Sequence, residues 1–128
     1  MKKNSLAATF IVSLMILTAC SSAAVKLDEQ GNGQSVELEA GQKLTVSLAG
    51  NPTTGYSWEV SEIDPAVVEL VGEPDYQSDS DLIGSGGVYT FVFKGVGPGQ
   101  SGVKLVYHRS WETDVEPEKE YEIFVNVK

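Results

Sequence analysis

The side chains that could support catalysis are few and lie close together near the carboxyl end of the chain. His108 is the only histidine among the 128 residues, and Ser110 and Asp114 follow it. A serine hydrolase uses these three residue types in a spatial arrangement, with the serine on a recognisable sharp turn. No such turn sequence surrounds Ser110. The pattern therefore favours a histidine on the surface of a strand and argues against an enzyme.

A metal site is poorly supported by the residues present. One histidine and one cysteine offer too few nitrogen and sulfur ligands for zinc. The acidic residues between Asp75 and Asp81 do not follow the spacing of a calcium-binding loop. We therefore expect neither a metal ion nor a cofactor.

The single cysteine, Cys20, follows a segment that is typical of a secretory signal. Lys2 and Lys3 give a positive start, and residues 6–17 form a mostly apolar run. That run is shorter than the about 20 apolar residues that a membrane-spanning helix needs. Because the chain has one cysteine, no disulfide can form within one molecule.

The sequence Leu17-Thr18-Ala19-Cys20 resembles a bacterial lipobox. In that class of protein the cysteine becomes the first residue and carries acyl chains, which anchor stably when two or more are present. The resemblance implies a signal peptide over residues 1–19 and an acylated N-terminus with a flexible tether over residues 20–33. It also implies a cell-envelope protein, held at the periplasmic face of an outer membrane or the outer face of the cell membrane. Ordinary secretion with a spare thiol is the weaker alternative.

The expected mature chain, residues 20–128, is strongly acidic. It keeps seven basic residues against 18 acidic ones, a formal charge of −11. This charge argues against a nucleic-acid partner, because such binding depends on cationic contacts to phosphate. The negative charge could favour encounter with a basic partner. It could equally serve only to keep an exported domain soluble. The remaining length suits one domain over residues 34–128, which we expect to be monomeric.

Beyond residue 34 the chain consists of short runs in which apolar and polar residues alternate. Such alternation places each apolar set on one face of a sheet. About seven runs of this kind, separated by turn residues, predict an all-β antiparallel sandwich. We expect Trp58, Phe91 and Phe93 in its core, and residues 25–27 could add an edge strand.

The connection over residues 51–56 combines several stiff residues. Pro52 fixes its own φ, and Gly55 permits a positive φ where the chain enters the next strand. Thr53 and Thr54 are β-branched and stiff at χ1. A short, polar, preorganised tip loses little entropy when it enters a cleft. A plain tight turn would explain the proline and the glycine but not the threonine pair.

Two further connections have compositions that suit an interface. Gly84-Ser85-Gly86-Gly87 lets backbone groups approach a partner closely, although a flexible hairpin is the alternative. It follows an acidic stretch, residues 75–83, that we expect to be mobile. Arg109-Ser110-Trp111 places a tryptophan beside an arginine, which is the composition of an interface hot spot. A core position for Trp111 is equally compatible with the local sequence.

Together the three connections resemble those of the chagasin family of cysteine-protease inhibitors. The match consists of Asn-Pro-Thr-Thr-Gly-Tyr-Ser-Trp over residues 51–58, Gly-x-Gly-Gly, and an Arg-Pro-aromatic sequence in which Ser110 replaces the proline. The likeness spans residues 34–128. It implies an immunoglobulin-like sandwich and reversible inhibition of papain-like cysteine proteases. In this family three loops occlude the active-site cleft, with no covalent step and no cofactor.

The resemblance implies that the three loops gather at one end of the sandwich and grip the protease there. Thr53 and Thr54 would lie foremost in the cleft. The implied protease-binding residues are Asn51, Pro52, Thr53, Thr54, Gly55, Tyr56, Gly84, Ser85, Gly86, Gly87, Arg109, Ser110 and Trp111.

A second hypothesis belongs to a different class of function. The chain could be a non-inhibitory immunoglobulin-like binding or assembly module of the cell envelope, because a fold alone does not settle function.

Overall fold

Nine strands and two short 3₁₀ turns make up the part of the chain that the computed structural model describes, residues 23–128. The signal segment and Cys20 lie outside the described residues. The 3₁₀ turns cover Glu29–Gly31 and Pro52–Thr54. The strands are β1 (Val25–Leu27), β2 (Ser35–Leu38), β3 (Lys43–Gly50), β4 (Ser57–Glu62), β5 (Val68–Leu70), β6 (Asp75–Ser78), β7 (Gly87–Gly95), β8 (Gly99–His108) and β9 (Lys119–Val127).

The strands form two sheets that enclose one apolar core. One sheet has the order β1-β3-β7-β5, with β6 also paired to β7, and the other has the order β2-β9-β8-β4. β3 and β7 are antiparallel, and so are β4 and β8. Within residues 23–128 the chain crosses from the first sheet to the second three times, and one of these crossings lies between β3 and β4.

The core forms because alternate residues of the long strands point between the sheets. Phe91 and Phe93 of β7 are completely buried, and Trp58 of β4 is nearly so. Each such side chain stabilises the fold by roughly 1.5–3 kcal/mol relative to an exposed one. The predicted all-β sandwich and the predicted core positions of these three aromatic residues are confirmed.

The strand count and the strand directions differ from the prediction. There are nine strands rather than about seven, and two pairs, β1 with β3 and β2 with β9, are parallel. The predicted antiparallel pairing holds for the other strand pairs and differs only at these two edges. The parallel partners are strands of three and four residues, which are too short for their period to reveal direction or pairing.

The stretch over residues 25–33, which the sequence analysis assigned to a flexible tether, is hydrogen-bonded to the sandwich. β1 pairs with β3, as the edge-strand alternative predicted. The Glu29 carboxylate accepts a hydrogen bond of 2.9 Å from the backbone N–H of Ala49. The Tyr121 hydroxyl donates one of 2.8 Å to the carbonyl of Asp28. The tether assignment is therefore corrected for these residues.

The acidic stretch over residues 75–83 is also partly ordered by pairing. Residues 75–78 form β6, and the Tyr76 ring lies 4.9 Å from the Tyr89 ring on the neighbouring strand. The expectation of a mobile segment is wrong for β6. Aromatic contact between neighbouring strands stabilises such a short edge strand.

We predict that Tyr121 makes the stability of the fold pH-dependent in the alkaline range. Burial, followed by the charge of Asp28, raises the pKa of Tyr121 to about 12 from 10.0. Because the folded state holds this proton more tightly than the unfolded state, the free energy of unfolding should fall as the pH rises from about 10 towards 12. Below pH 10 this contribution is fully present.

The test is urea unfolding of the parent and of Tyr121→Phe at pH 8, 10 and 11.5. The variant should lose about 1 kcal/mol at pH 8, because the hydrogen bond to Asp28 is gone. It should then lose less stability than the parent between pH 10 and 11.5. Parallel pH profiles would show that Tyr121 is not responsible.

Candidate functional site

The three connections singled out by the sequence lie at one end of the sandwich. Gly50, the last residue of β3, pairs with Gly87, the first residue of β7. Ser57, the first residue of β4, pairs with His108, the last residue of β8. We name the connections the Asn-Pro loop (residues 51–56), the glycine loop (79–86) and the Arg-Trp loop (109–118), and together the wedge.

The tip of the Asn-Pro loop is a 3₁₀ turn that closes on itself. The Asn51 side-chain oxygen accepts hydrogen bonds from the Thr53 backbone N–H at 3.1 Å and from the Thr53 hydroxyl at 2.6 Å. The Thr54 hydroxyl donates to the Asn51 carbonyl at 2.6 Å. Gly55 ends the turn with a φ of 85°, a value that favours glycine.

These bonds fix the threonine pair at the surface. Pro52, Thr53 and Thr54 are all exposed, and both hydroxyls are already engaged with Asn51. A tip held by its own hydrogen bonds has few conformations to lose on binding. The two threonine side chains face solvent rather than the core. Insertion into a cleft requires this exposed arrangement.

Tyr107 on β8 holds the base of the Asn-Pro loop. Its hydroxyl accepts a hydrogen bond of 2.8 Å from the backbone N–H of Asn51, and its side chain is only 6% exposed. The ring lies 5.3 Å from that of Tyr56 and 5.1 Å from that of Trp58. This contact of Tyr107 was not predicted from the sequence. The available signal was a tyrosine just before the Arg-Trp loop, at the end of an aliphatic strand.

Asn51 also joins the Asn-Pro loop to the glycine loop. Its side-chain N–H donates a hydrogen bond of 3.1 Å to the carbonyl of Gly84. A Cβ at Gly87 would collide with the carbonyl oxygen of Gln77, whereas one at Gly86 would make an ordinary contact of 3.5 Å with the carbonyl oxygen of Gly50. Gly87 therefore allows the backbones of β6 and β7 to pack closely.

Arg109 joins the Arg-Trp loop to the Asn-Pro loop. Its Nε donates a hydrogen bond of 3.1 Å to the carbonyl of Thr54, and its guanidinium lies 4.5 Å from the centre of the Tyr56 ring. Its Nη1 donates to the Glu112 carboxylate at 3.1 Å. This hydrogen bond raises the pKa of Arg109 from its usual value.

The same residues close the turn at Ser110, where the family pattern has proline. The Glu112 backbone N–H donates a hydrogen bond of 3.0 Å to the Arg109 carbonyl. Because Arg109 and Glu112 are also paired through their side chains, two contacts define the turn. Sequence analysis missed Glu112, although the spacing of opposite charges at i and i+3 was a usable signal.

Trp111 is exposed rather than buried. Its side chain is 66% exposed. The end of the indole ring covers Gly55, since a Cβ built there would lie 2.5 Å from it. The core position that the sequence left open for Trp111 is therefore excluded. The large apolar face beside the Asn-Pro loop remains available to a partner.

The glycine loop carries a second exposed apolar group that sequence analysis did not single out. Leu82 is 78% exposed and Ile83 fully exposed. The loop is closed by hydrogen bonds from the Asp79 N–H to the Gly86 carbonyl, 2.9 Å, and from the Ser85 N–H to the Leu82 carbonyl, 3.2 Å. The sequence contained a usable signal for this exposed pair, because the two large apolar residues are surrounded by serine, aspartate and glycine.

The residues considered for catalysis do not form a triad. His108 Nε2 lies 2.8 Å from a carboxylate oxygen of Glu59 on the neighbouring strand. Within residues 23–128, neither Ser110 nor Asp114 is hydrogen-bonded to it. The predicted position of His108 on a strand is confirmed.

The same part of the chain, residues 23–128, bears on metal binding and on membrane-spanning segments. No group of three or more histidine, cysteine, aspartate or glutamate residues there could hold a metal ion. None of the helices described is both long and apolar enough to span a bilayer.

Among solved structures, the crystal structure of the cysteine protease inhibitor EhICP2 from Entamoeba histolytica has the same fold. It superposes with a TM-score of 0.73 at 21% sequence identity, covering 82% of this chain and 96% of that one. At this identity the likeness concerns the fold alone.

Comparison of sequences identifies relatives that span most of the chain. Amoebiasin-1 from Entamoeba histolytica is 31% identical over 106 residues, which cover 81% of this chain and all of that protein. Chagasin from Trypanosoma cruzi is 29% identical over 90 residues, 67% of this chain and 82% of chagasin. The model of the family described as chagasin family peptidase inhibitor I42 matches residues 37–125. The chain therefore belongs to the chagasin family of peptidase inhibitors.

Proposed function

We propose that the protein is a reversible inhibitor of papain-like cysteine proteases and that the wedge fills the active-site cleft. The observation that carries this proposal is the mutual bonding of the loops. Asn51 reaches Gly84, and Arg109 reaches Thr54, so the three loops form one preorganised surface. Family membership supports inhibition over the alternative of a non-inhibitory envelope module.

In this proposal the Asn-Pro loop enters the cleft with Thr53 and Thr54 foremost. A protease cleaves a peptide that lies extended with its scissile carbonyl aligned to the nucleophile. The 3₁₀ turn over Pro52–Thr54 and its hydrogen bonds to Asn51 oppose that extension. The loop can therefore occupy the cleft without becoming a good substrate.

The two flanking loops supply the grip on either side of the cleft. Trp111 presents an exposed indole, and the glycine loop presents Leu82 and Ile83 beside Gly84–Gly87. Tryptophan is enriched among the few residues that dominate the binding energy of interfaces, so we assign the larger contribution to Trp111. We assign Ser85 and Ser110, both small, to positions where the backbone of the loop approaches the enzyme.

We also propose that the protein reaches this target as a monomeric lipoprotein of the cell envelope. Residues 1–19 would be removed as a signal peptide, and Cys20 would carry the lipid. Two features support this proposal, the order of charge, apolar run and small residues, and the lone cysteine at its end. The anchor leaves the whole sandwich on the exported side of the membrane.

The first prediction from the proposed function concerns the two loops that would contact the enzyme most. We expect deletion of Thr53-Thr54 to abolish tight inhibition of papain, because the tip no longer reaches the cleft. We expect Trp111→Ala to raise the inhibition constant by about 30-fold or more, which corresponds to a hot spot of about 2 kcal/mol. Both are measured by titrating papain activity with the purified protein.

The matched control is Phe124→Ala, since Phe124 is an exposed aromatic residue on β9, outside the wedge. It should inhibit like the parent. If the parent causes no loss of papain activity at high excess, the envelope-module hypothesis replaces the inhibitor. If the parent inhibits and both wedge variants inhibit equally well, the assignment of the loops is wrong.

The second prediction treats Arg109 as a positioning residue. Arg109→Lys keeps the charge but loses the Nε donor to Thr54, so the Asn-Pro and Arg-Trp loops are no longer joined. We expect the complex with papain to dissociate about 5–30 times faster, as for the loss of one or two kcal/mol, while thermal stability changes little.

Glu112→Gln separates the two roles of Arg109. It removes the ion pair and leaves the bond to Thr54 possible, so its dissociation rate should lie close to that of the parent. Equal acceleration in both variants would assign the effect to the ion pair instead.

The third prediction concerns Cys20. Expressed in a bacterium that processes lipoproteins, the chain should partition with membranes, and its first peptide should begin at Cys20 with the added mass of acyl chains. Cys20→Ser should release the protein from the membrane fraction. An unmodified Cys20 in mass spectra of the membrane-bound protein would exclude the lipid anchor.

A further inference from the structure

We propose that the end of the sandwich opposite the wedge rests on the lipid surface, so that the wedge points into the aqueous compartment. This orientation rests on the proposed lipid anchor at Cys20 and adds a specific membrane-facing surface to it. We name that end the anchor pole. It consists of the turns over residues 39–42, 63–66 and 96–98.

The three turns of the anchor pole pack against one another. The Gly41 N–H donates a hydrogen bond of 2.7 Å to the Gly95 carbonyl at the end of β7. The Val96 N–H donates one of 2.8 Å to the Val67 carbonyl. A Cβ at Gly97 would lie 2.5 Å from the Ala66 carbonyl oxygen. The turns therefore form one continuous surface at the far end of the strands from the wedge.

The chain enters the sandwich at the anchor pole. The Gln42 side chain donates a hydrogen bond of 2.7 Å to the carbonyl of Ala23. Val25 then pairs with Leu44, next to the first residue of β3, and β1 runs parallel to β3 towards the wedge. The position of Ala23 is thus fixed beside the turn over residues 39–42.

The lipid must lie close to this entry point. Cys20 precedes Ala23 by three residues, and a fully extended chain gains at most about 3.6 Å per residue. The acylated cysteine can therefore be no more than about 11 Å from Ala23. β3 has eight residues and spans about 26 Å at the rise of a strand. The wedge lies farther from the anchor than the tether can reach, so the anchor pole meets the bilayer first.

The distribution of charge favours the same orientation. The loops of the wedge contain six acidic residues and, as their one cation, Arg109. The anchor pole and its flanking positions carry Glu39, Glu62 and Asp64 together with Lys43, Lys94 and Lys128, and Lys128 is ion-paired with Glu37, so that the charges there nearly balance. An anionic lipid surface attracts each nearby basic residue by about 1 kcal/mol and repels acidic ones. The acidic wedge is therefore driven away from the membrane.

The surface of the anchor pole suits shallow contact with headgroups. Val96 is 38% exposed, and Ala40, Pro65, Ala66 and Pro98 are exposed as well. These side chains are small, so they can touch the interface without the deep insertion of an amphipathic helix. The orientation then presents the wedge about 30 Å above the membrane. This orientation suits a partner that is a soluble protease and that approaches from the aqueous side.

The experiment measures the depth of two labelled positions in the lipidated full-length protein. Because acylation consumes Cys20, a cysteine introduced elsewhere is the one free thiol. Val96→Cys at the anchor pole and Ile83→Cys in the wedge are labelled with a fluorophore. The protein is reconstituted in vesicles of phosphatidylcholine and phosphatidylglycerol, without and with spin-labelled lipid as quencher. We expect quenching at position 96 to exceed that at position 83 several-fold.

Equal quenching at both positions, or stronger quenching at position 83, would overturn the orientation. A variant with 20 Gly and Ser residues inserted between positions 22 and 23 tests the role of the short tether. It should bring the two labels to similar, weak quenching. An unchanged difference in that variant would overturn the argument from the tether length.

A titration of papain separates this inference from the two proposals on which it rests, the inhibitory function and the lipid anchor. The unlabelled lipidated protein should inhibit equally in vesicles and in detergent micelles, because the wedge is free in both. Inhibition in detergent but not on vesicles would overturn the orientation alone. Inhibition in neither would overturn the proposed inhibitory function, and a mass spectrum without acyl chains would overturn the lipid anchor.

Discussion

The hydrogen bond between the Tyr107 hydroxyl and the backbone of Asn51 fixes the point at which the chain leaves β3 to cross to β4 in the other sheet. The Tyr107 ring is held in turn by Tyr56 and Trp58 on the receiving side of that crossing. Gly50 must lack a side chain, since a Cβ there would lie 2.7 Å from the Tyr89 ring. Residues of the core therefore fix the position of the Asn-Pro tip. The other two loops are aligned by their hydrogen bonds to the loop that carries this tip.

Much of this arrangement could be predicted from the sequence, because its causes are local. Alternation of apolar residues locates the long strands, and Pro52 and Gly55 mark a stiff turn. The edge strands could not be assigned, because three residues such as Val25–Leu27 contain too little pattern to show a parallel partner. The contacts of Asn51 with Gly84 and of Arg109 with Thr54 join residues 33 and 55 positions apart. Both end on backbone carbonyls, which no side-chain pattern can reveal.

The two ends of the sandwich differ in composition. The end that carries the wedge holds most of the long connections, an exposed indole and an excess of negative charge. The opposite end consists of short turns with small side chains, and the first strand enters beside it through the contact between Gln42 and Ala23. In the functions that we propose, the sandwich between the two ends separates protease recognition from lipid attachment.

The main-chain acceptors within the wedge have a further consequence. The carbonyls of Thr54 and Gly84 remain in place whichever side chains occupy neighbouring tip positions, so the loops stay aligned when those side chains are exchanged. The side chains at positions 82, 83 and 111 are largely exposed. Randomising the residues at these three positions should therefore change which protein the domain binds. Its fold and the alignment of its loops should stay the same.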